Sequence, residues 1–149
     1  MKKYEQDFKC ISYEWLNDYS ILEKADVEMI ENFESVILRE GGHMFFAILY
    51  GKAVGTLSLL KINEGVYELA KFGVDKEYRG KGIGEMLLTY VVNFSLKKGY
   101  KKLLVHTMSI LKPSINLYKK LRFKEMKNIK LSEKSLYELT DLTFYRILV

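Results

Sequence analysis

Residues 66–84, V-Y-E-L-A-K-F-G-V-D-K-E-Y-R-G-K-G-I-G, decide how the rest of this chain is read. Val66 to Val74 has the composition of an extended strand, Asp75 to Tyr78 is a polar turn, and a glycine-rich loop then opens a helix. Gly80, Gly82 and Gly84 make positive φ inexpensive and leave no Cβ to hold a ligand off the backbone. Their N–H groups, with the free N–H groups of the first helical turn, form a concave anion site, to which Arg79 and Lys81 add charge. A phosphate-bearing ligand is therefore expected. A Walker A loop is excluded because no Gly-Lys pair is followed by Ser or Thr. A dinucleotide fingerprint is excluded because the spacing is G-x-G-x-G, and Lys97, Lys98, Lys101 and Lys102 stand where an acidic residue belongs.

Outward from this stretch the periodicities supply the other elements. Ile83, Leu87, Val91 and Phe94 lie on one stripe of a helix over residues 82–96, closed by Lys97, Lys98 and Gly99. Residues 101–108 form the next strand, which the intervening helix makes parallel to the strand ending at Val74. Upstream, residues 43–50 and 53–62 read as a hairpin that leads through Asn63-Glu64-Gly65 into the key strand. Residues 5–11 read as a short first strand. Ser12 then caps a helix with apolar positions at Trp15, Leu16, Tyr19 and Leu22, and a second helix begins at Asp26 with Val27, Ile30, Phe33 and Ile37 buried. Downstream, Pro113 opens a short helix to Lys120. Residues 123–127 and 143–148 read as two closing strands.

A chain of 149 residues is expected to form one domain, 1–149, with a sizeable core. Its single cysteine, Cys10, rules out an intrachain disulfide and suits a reducing compartment. With no apolar segment behind the first lysines and no long apolar run, the expectation is a cytoplasmic protein without a membrane partner. Charge is uneven: residues 1–40 hold roughly ten acids and five bases, residues 97–130 roughly eleven bases and one acid. The basic segment reads as a solvated face, as attraction for cofactor phosphates, or as a nucleic-acid footprint. His43 and His106 are not spaced with Cys10 for a metal, so no metal site is expected and both read as structural.

The run [Q/R]-x-x-G-x-[G/A], met by Arg79, Gly82 and Gly84 behind V-D-K-E-Y, resembles the coenzyme A loop of the GNAT superfamily of acyl-CoA-dependent N-acyltransferases. The element order fits as well, so the resemblance covers essentially the whole chain. It implies an α+β GNAT fold: a central mixed, mostly antiparallel twisted sheet of six to seven strands flanked by about four helices. It also implies acetyl-CoA as acyl donor and a small-molecule or peptide amine as acceptor. Nucleic acid is not an expected partner, and a homodimer is left open.

By the same resemblance, Arg79, Gly80, Lys81, Gly82, Ile83 and Gly84 hold the pyrophosphate, while Phe72, Gly73 and Val74 pair with the pantetheine arm. Glu68 corresponds to the general base that many GNAT enzymes carry on this strand, and ideal alternation gives it the facing of Ala70, Phe72 and Val74. Tyr118, in S-I-N-L-Y-K-K-L-R-F, matches the tyrosine that reaches the thioester sulfur, where it would act as general acid and touch the cofactor. Direct attack of the amine in a ternary complex is the implied mechanism. Glu14 is a further acid available to an acceptor ammonium, and with Asp18, Glu133, Glu138 and Asp141 in the segments about 12–40 and 128–142 that the resemblance assigns to the acceptor, it points to a cationic one. Two positions depart from the pattern: Arg122 replaces the usual glycine before Phe123, and Leu111 stands where an asparagine often holds the pantetheine. A non-catalytic acyl-CoA-binding domain is the alternative these departures suggest, with a basic nucleic-acid module behind it.

Overall fold

The structure, a computed structural model, describes residues 2–127 and 139–148. Its helices are α1 (Lys2–Asp18), α2 (Lys24–Glu31), α3 (Ile83–Lys97) and α4 (Lys112–Lys120). Its strands are β1 (His43–Leu49), β2 (Lys52–Asn63), β3 (Val66–Val74), β4 (Lys102–Thr107), β5 (Lys124–Glu125) and β6 (Leu142–Ile147). They form one sheet in the order β1-β2-β3-β4-β6-β5, antiparallel throughout except for the β3–β4 pair. Residues 53–59 of β2 are buried without alternation, because helices cover the sheet on both faces. On one face Leu57, Leu69, Phe72, Leu88, Val91 and Tyr118 belong to a core beneath α3 and α4. On the other, Phe8, Leu16, Ile30, Phe33 and Ile37 build a second core from α1 and the segment after it. Among the described residues no helix is long and apolar enough to cross a membrane.

The expected first strand over residues 5–11 does not form; α1 runs unbroken from Lys2 to Asp18. Asp7, Phe8, Lys9 and Cys10 alternate in polarity over a short window and so mimic a strand. The longer spacing is helical, since Phe8, Ile11, Ser12 and Leu16 are the buried positions. Ser12 is accordingly a buried mid-helix residue and caps nothing. The second helix starts earlier than expected, with Asp26 in its first turn accepting the Glu23 N–H at 2.8 Å. It ends at Glu31 and is followed by a π-helical turn, Glu34–Leu38. Ile30, Phe33 and Ile37 are buried as the periodicity predicts, whereas Val27 is exposed and Met29 takes the inward place.

Two features of β3 open the sheet. Its parallel ladder with β4 runs only from Val66↔Lys102 to Leu69↔Val105, after which the two strands diverge. Against β2, the register jumps from Ser58↔Ala70 to Thr56↔Gly73, so β3 carries one extra residue in a β-bulge. Lys71, at φ +51°, is the residue in the left-handed region there. The bulge ends simple alternation. Ala70 packs toward the α1–α2 layer and Lys71 reaches Asp26 on α2, while Phe72 joins Leu69 in the core beneath α3. Phe72 therefore does not share the facing of Glu68, as ideal alternation had it.

Candidate active site

The glycine loop has the backbone its sequence suggests. Gly80 and Gly82 have φ of +77° and +81°, and a Cβ built on either would meet nothing within 4 Å. Gly82 begins α3 with no side-chain cap, so the first-turn N–H groups are presented outward. A Cβ on Gly84 would come into ordinary contact with Phe72 and Leu117. A groove of about 570 Å³ runs past this loop, lined among others by Phe72, Gly73, Val74, Arg79, Ile83 and Leu117. Exposed amides at one end and an apolar floor beyond them suit a ligand that couples phosphates to a slender apolar arm.

Arg79 behaves differently from expectation. Its Nε donates to the Val74 carbonyl at 2.9 Å, and its Nη1 donates to Asp18 Oδ2 at 3.2 Å. Glu14 stands 3.8 Å from Nη2 and also accepts the Lys76 N–H at 2.9 Å. Arg79 thus ties the loop to α1, and its charge is answered by α1 carboxylates. The same contacts occupy Glu14, which lines neither this groove nor the cavity next to it. Lys81 lies over the Tyr78 ring, 5.5 Å from its centroid. Lys97 and Lys98 sit at the far end of the 15-residue α3, roughly 20 Å from the loop at about 1.5 Å per residue, which removes them as a source of attraction for phosphates.

Gly73 has a purpose the sequence did not disclose. A Cβ there would stand 3.3 Å from Ile11 Cγ2 and 3.6 Å from Trp15, so the glycine admits α1 against the strand. The bulge itself lies two residues earlier, at Lys71.

Where β3 and β4 diverge, the groove continues into a smaller cavity of about 70 Å³, and Trp15, Phe72 and Ser114 line both. Glu68 and Tyr118 line this inner cavity together, with Asp26, Lys71, His106 and Leu111. The Glu68 carboxyl is raised to about 7, chiefly by burial, with the Lys71 ammonium pulling the other way. His106 Nε2 is 3.9 Å from Glu68 Oε1, and its Nδ1 is bridged to Thr143 Oγ1 at 2.8 Å. Tyr118 is 3% exposed, and its ring is held among Phe72, Phe123 and Phe144. Burial pushes its phenol well above the ordinary value, and among the described residues its hydroxyl has no hydrogen-bond partner. It remains a protonated donor throughout the working pH range.

The two departures from the resemblance take clear forms. Leu111 begins α4 as a buried apolar residue on the cavity wall. Arg122 adopts φ +69°, and the turn is the one a glycine would make: Phe123 N–H donates to the Tyr118 carbonyl at 2.9 Å and Arg122 N–H to the Lys119 carbonyl at 3.1 Å. The motif survives with its strain, and Tyr118 stays anchored.

The acetyltransferase (GNAT) family model matches residues 11–123. This chain belongs to that family. N-acetylaspartate synthetase of Xenopus tropicalis is 31% identical over 113 residues, 74% of this chain and 41% of that relative. The chain thus spans less than half the length of that curated relative. The acetyltransferase of the GNAT family from Staphylococcus aureus Mu50 shares the fold over 100% of this chain and 96% of its own, with TM-score 0.87 at 23% identity. The GNAT superfamily phosphinothricin acetyltransferase of Sinorhizobium meliloti, solved in complex with acetyl-CoA, overlays 83% of this chain and 69% of its own with TM-score 0.64 at 22% identity.

For this GNAT chain the α+β fold expected from sequence holds, with six strands and four main helices among the described residues. The groove gathers Phe72, Gly73, Val74, Arg79, Gly80, Gly82, Ile83 and Gly84, and Lys81 stands beside it on the loop. Three cavity residues went unnoticed in the sequence. His106 read as structural, Asp26 only as a helix start, and Lys71 not at all. A lysine set between Leu69-Ala70 and Phe72-Gly73 was the available signal, because a buried lysine requires a partner. Of the acidic residues expected to face an acceptor, Asp18 is held by Arg79, and Asp141 accepts from the Ser109 N–H and hydroxyl. Glu133 and Glu138 lie outside the described residues.

Proposed function

We propose that this chain is an acetyl-CoA-dependent N-acetyltransferase acting on a primary amine, with Glu68 as general base and Tyr118 as general acid. The observation that carries the reading is the continuity of the cleft. An amide-lined groove of about 570 Å³ passes Trp15, Phe72 and Ser114 into a cavity that holds a carboxyl near 7 and a protonated phenol. Gly80, Gly82 and the first turn of α3 would take the phosphates, and the β3 edge at residues 72–74, beyond its last pairing with β4, would take the arm. The bound donor supplies an activated acetyl group. The chain's own residues then handle protons and position.

Glu68 is suited to take a proton from an ammonium near pH 7, because its own affinity for a proton is matched to that pH. Tyr118 keeps an O–H in the same cavity, available to the departing sulfur. Glu23, Asp26 and Glu68 line the cavity against Lys71 and His106, and this acidic balance draws a cationic acceptor. The cavity's small volume admits an aminomethyl group and a slim stem.

Incubation with acetyl-CoA and a panel of primary amines, read by release of free thiol, tests the proposal. Aspartate belongs in the panel because a relative is an N-acetylaspartate synthetase. Amine-dependent thiol release that collapses in Glu68→Gln is expected. Tight acetyl-CoA binding without thiol release from any amine would instead make the chain an acyl-CoA-binding domain.

A further inference from the structure

Lys71 and Asp26 form the most enclosed ion pair among the described residues. Nζ and Oδ1 are 2.6 Å apart, and the side chains are 6% and 5% exposed. A buried pair of this kind is a weak source of net stability, since desolvation offsets most of the attraction. Lys71 also sits in the left-handed region, at φ +51°, which L residues adopt only at a steric cost. Strain and burial thus converge on one residue, and strain of this kind clusters at functional sites. The bulge gives the pair its place. Without the extra residue, Lys71 would point with Leu69 into the α3 core, but with it the ammonium turns to α2 and lines the cavity beside Glu68.

We propose that Asp26 is a positioning residue for catalysis: it holds the Lys71 ammonium and offsets its charge, and the pair so sets the ionisation of Glu68 toward an arriving amine. This rests on the reading of Glu68 as base. Among the described residues, the groups facing Glu68 are Lys71 on its own strand, His106 from β4, Asp26 and Glu23 at the start of α2, and Tyr118 from α4; α1 brings Trp15 and Leu16. Lys71 is the permanent cation among them, and Asp26 the anion in direct contact with it. Removing Asp26 takes away the anion that offsets that cation at 2.6 Å, which favours the ionised carboxyl. Removing Lys71 leaves burial and the Asp26 anion, which favour the neutral one. The two changes act in opposite directions, which a loss of packing common to both variants would not produce.

The test needs no knowledge of the acceptor. The side-chain carboxyl carbon of Glu68 is titrated by NMR in the full chain, its resonance assigned by its loss in Glu68→Gln. In Asp26→Asn the midpoint should fall by about one pH unit, and in Lys71→Met it should rise by about as much. Lys71→Arg should restore the wild-type midpoint. Asp26 also caps α2, so Asp26→Asn is the variant at greater risk of failing to fold; the Lys71→Met and Lys71→Arg pair then decides alone. Midpoints that stay put, or move in the same direction in the first two variants, overturn the proposal. A wild-type midpoint in the ordinary carboxylate range instead overturns the reading of Glu68 as a base poised near neutrality, while the opposed shifts still test the pair.

Discussion

At the loop end of the cleft the protein offers backbone: amides of residues 80–84 and the uncapped first turn of α3. At the inner end it offers side chains from α2, β3, β4 and α4, packed around a cavity of about 70 Å³. The loop end depends on glycine geometry, and the Arg79 side chain beside it turns its guanidinium to α1. The inner end depends on burial. Its chemistry comes from desolvating a carboxyl and a phenol, so it exists only when distant parts of the chain close over them. One end is local and the other global.

The sharpest way to break this contrast is at Glu68. Glu68→Gln should lower kcat/KM by roughly 10²-fold or more, while calorimetry finds acetyl-CoA affinity unchanged, because the loop end is untouched. Wild-type turnover in this variant would remove Glu68 from the mechanism. The wild-type kcat/KM should itself fall about tenfold per pH unit below about 7. Stability should show the converse. A folded carboxyl raised from 4.5 to about 7 binds its proton more tightly than the unfolded one, so its contribution is complete below about pH 4.5 and is lost as pH rises through 7. Glu68→Gln should therefore gain more in Tm over wild type at pH 8 than at pH 5.

Gly82→Asp probes the opposite end. It places a Cβ at φ +81° and a negative charge over the amides, and acetyl-CoA affinity should drop by at least roughly tenfold, about 1.4 kcal/mol, while the Glu68 titration is unmoved. Undiminished binding would dissociate the loop from the phosphates. Tyr118→Phe should slow thiol release on the order of tenfold with little change in Tm, since the ring contacts with Phe72, Phe123 and Phe144 are kept. Equal turnover across pH would leave the hydroxyl without a role. The smallest effect is expected at Arg122→Gly, which relieves a positive φ and separates a charge from Arg146. It should add about 1 kcal/mol of stability, a rise in Tm of roughly 2–4 °C, and leave acetyl-CoA affinity unchanged.

Much of this molecule was legible along the chain because the relevant physics is short-ranged. The glycine spacing at 80, 82 and 84 reported the loop conformation, and the β-α-β arrangement around α3 reported a parallel pair inside an antiparallel sheet. The stripe of α3 was read from its period, and its actual buried set, Leu87, Leu88, Val91, Val92 and Ser95, is the same face slightly rotated. Reading residues 5–11 as a strand failed because a window of a few alternating residues is compatible with both periods until Ile11, Ser12 and Leu16 are counted. Tyr118 and Glu68 came from the resemblance; their environment did not.

What the sequence determined by itself is the local part: the glycine loop, most of the helices and strands, and the order that places this chain among the GNAT acetyltransferases. What only the tertiary structure decided is the inner cavity. A single extra residue at the β3 bulge turned Lys71 toward Asp26, divergence of β3 from β4 opened space beside Glu68, and His106 arrived from the next strand. Facing and desolvation are sums over contacts between elements far apart in the chain, and no local pattern encodes them.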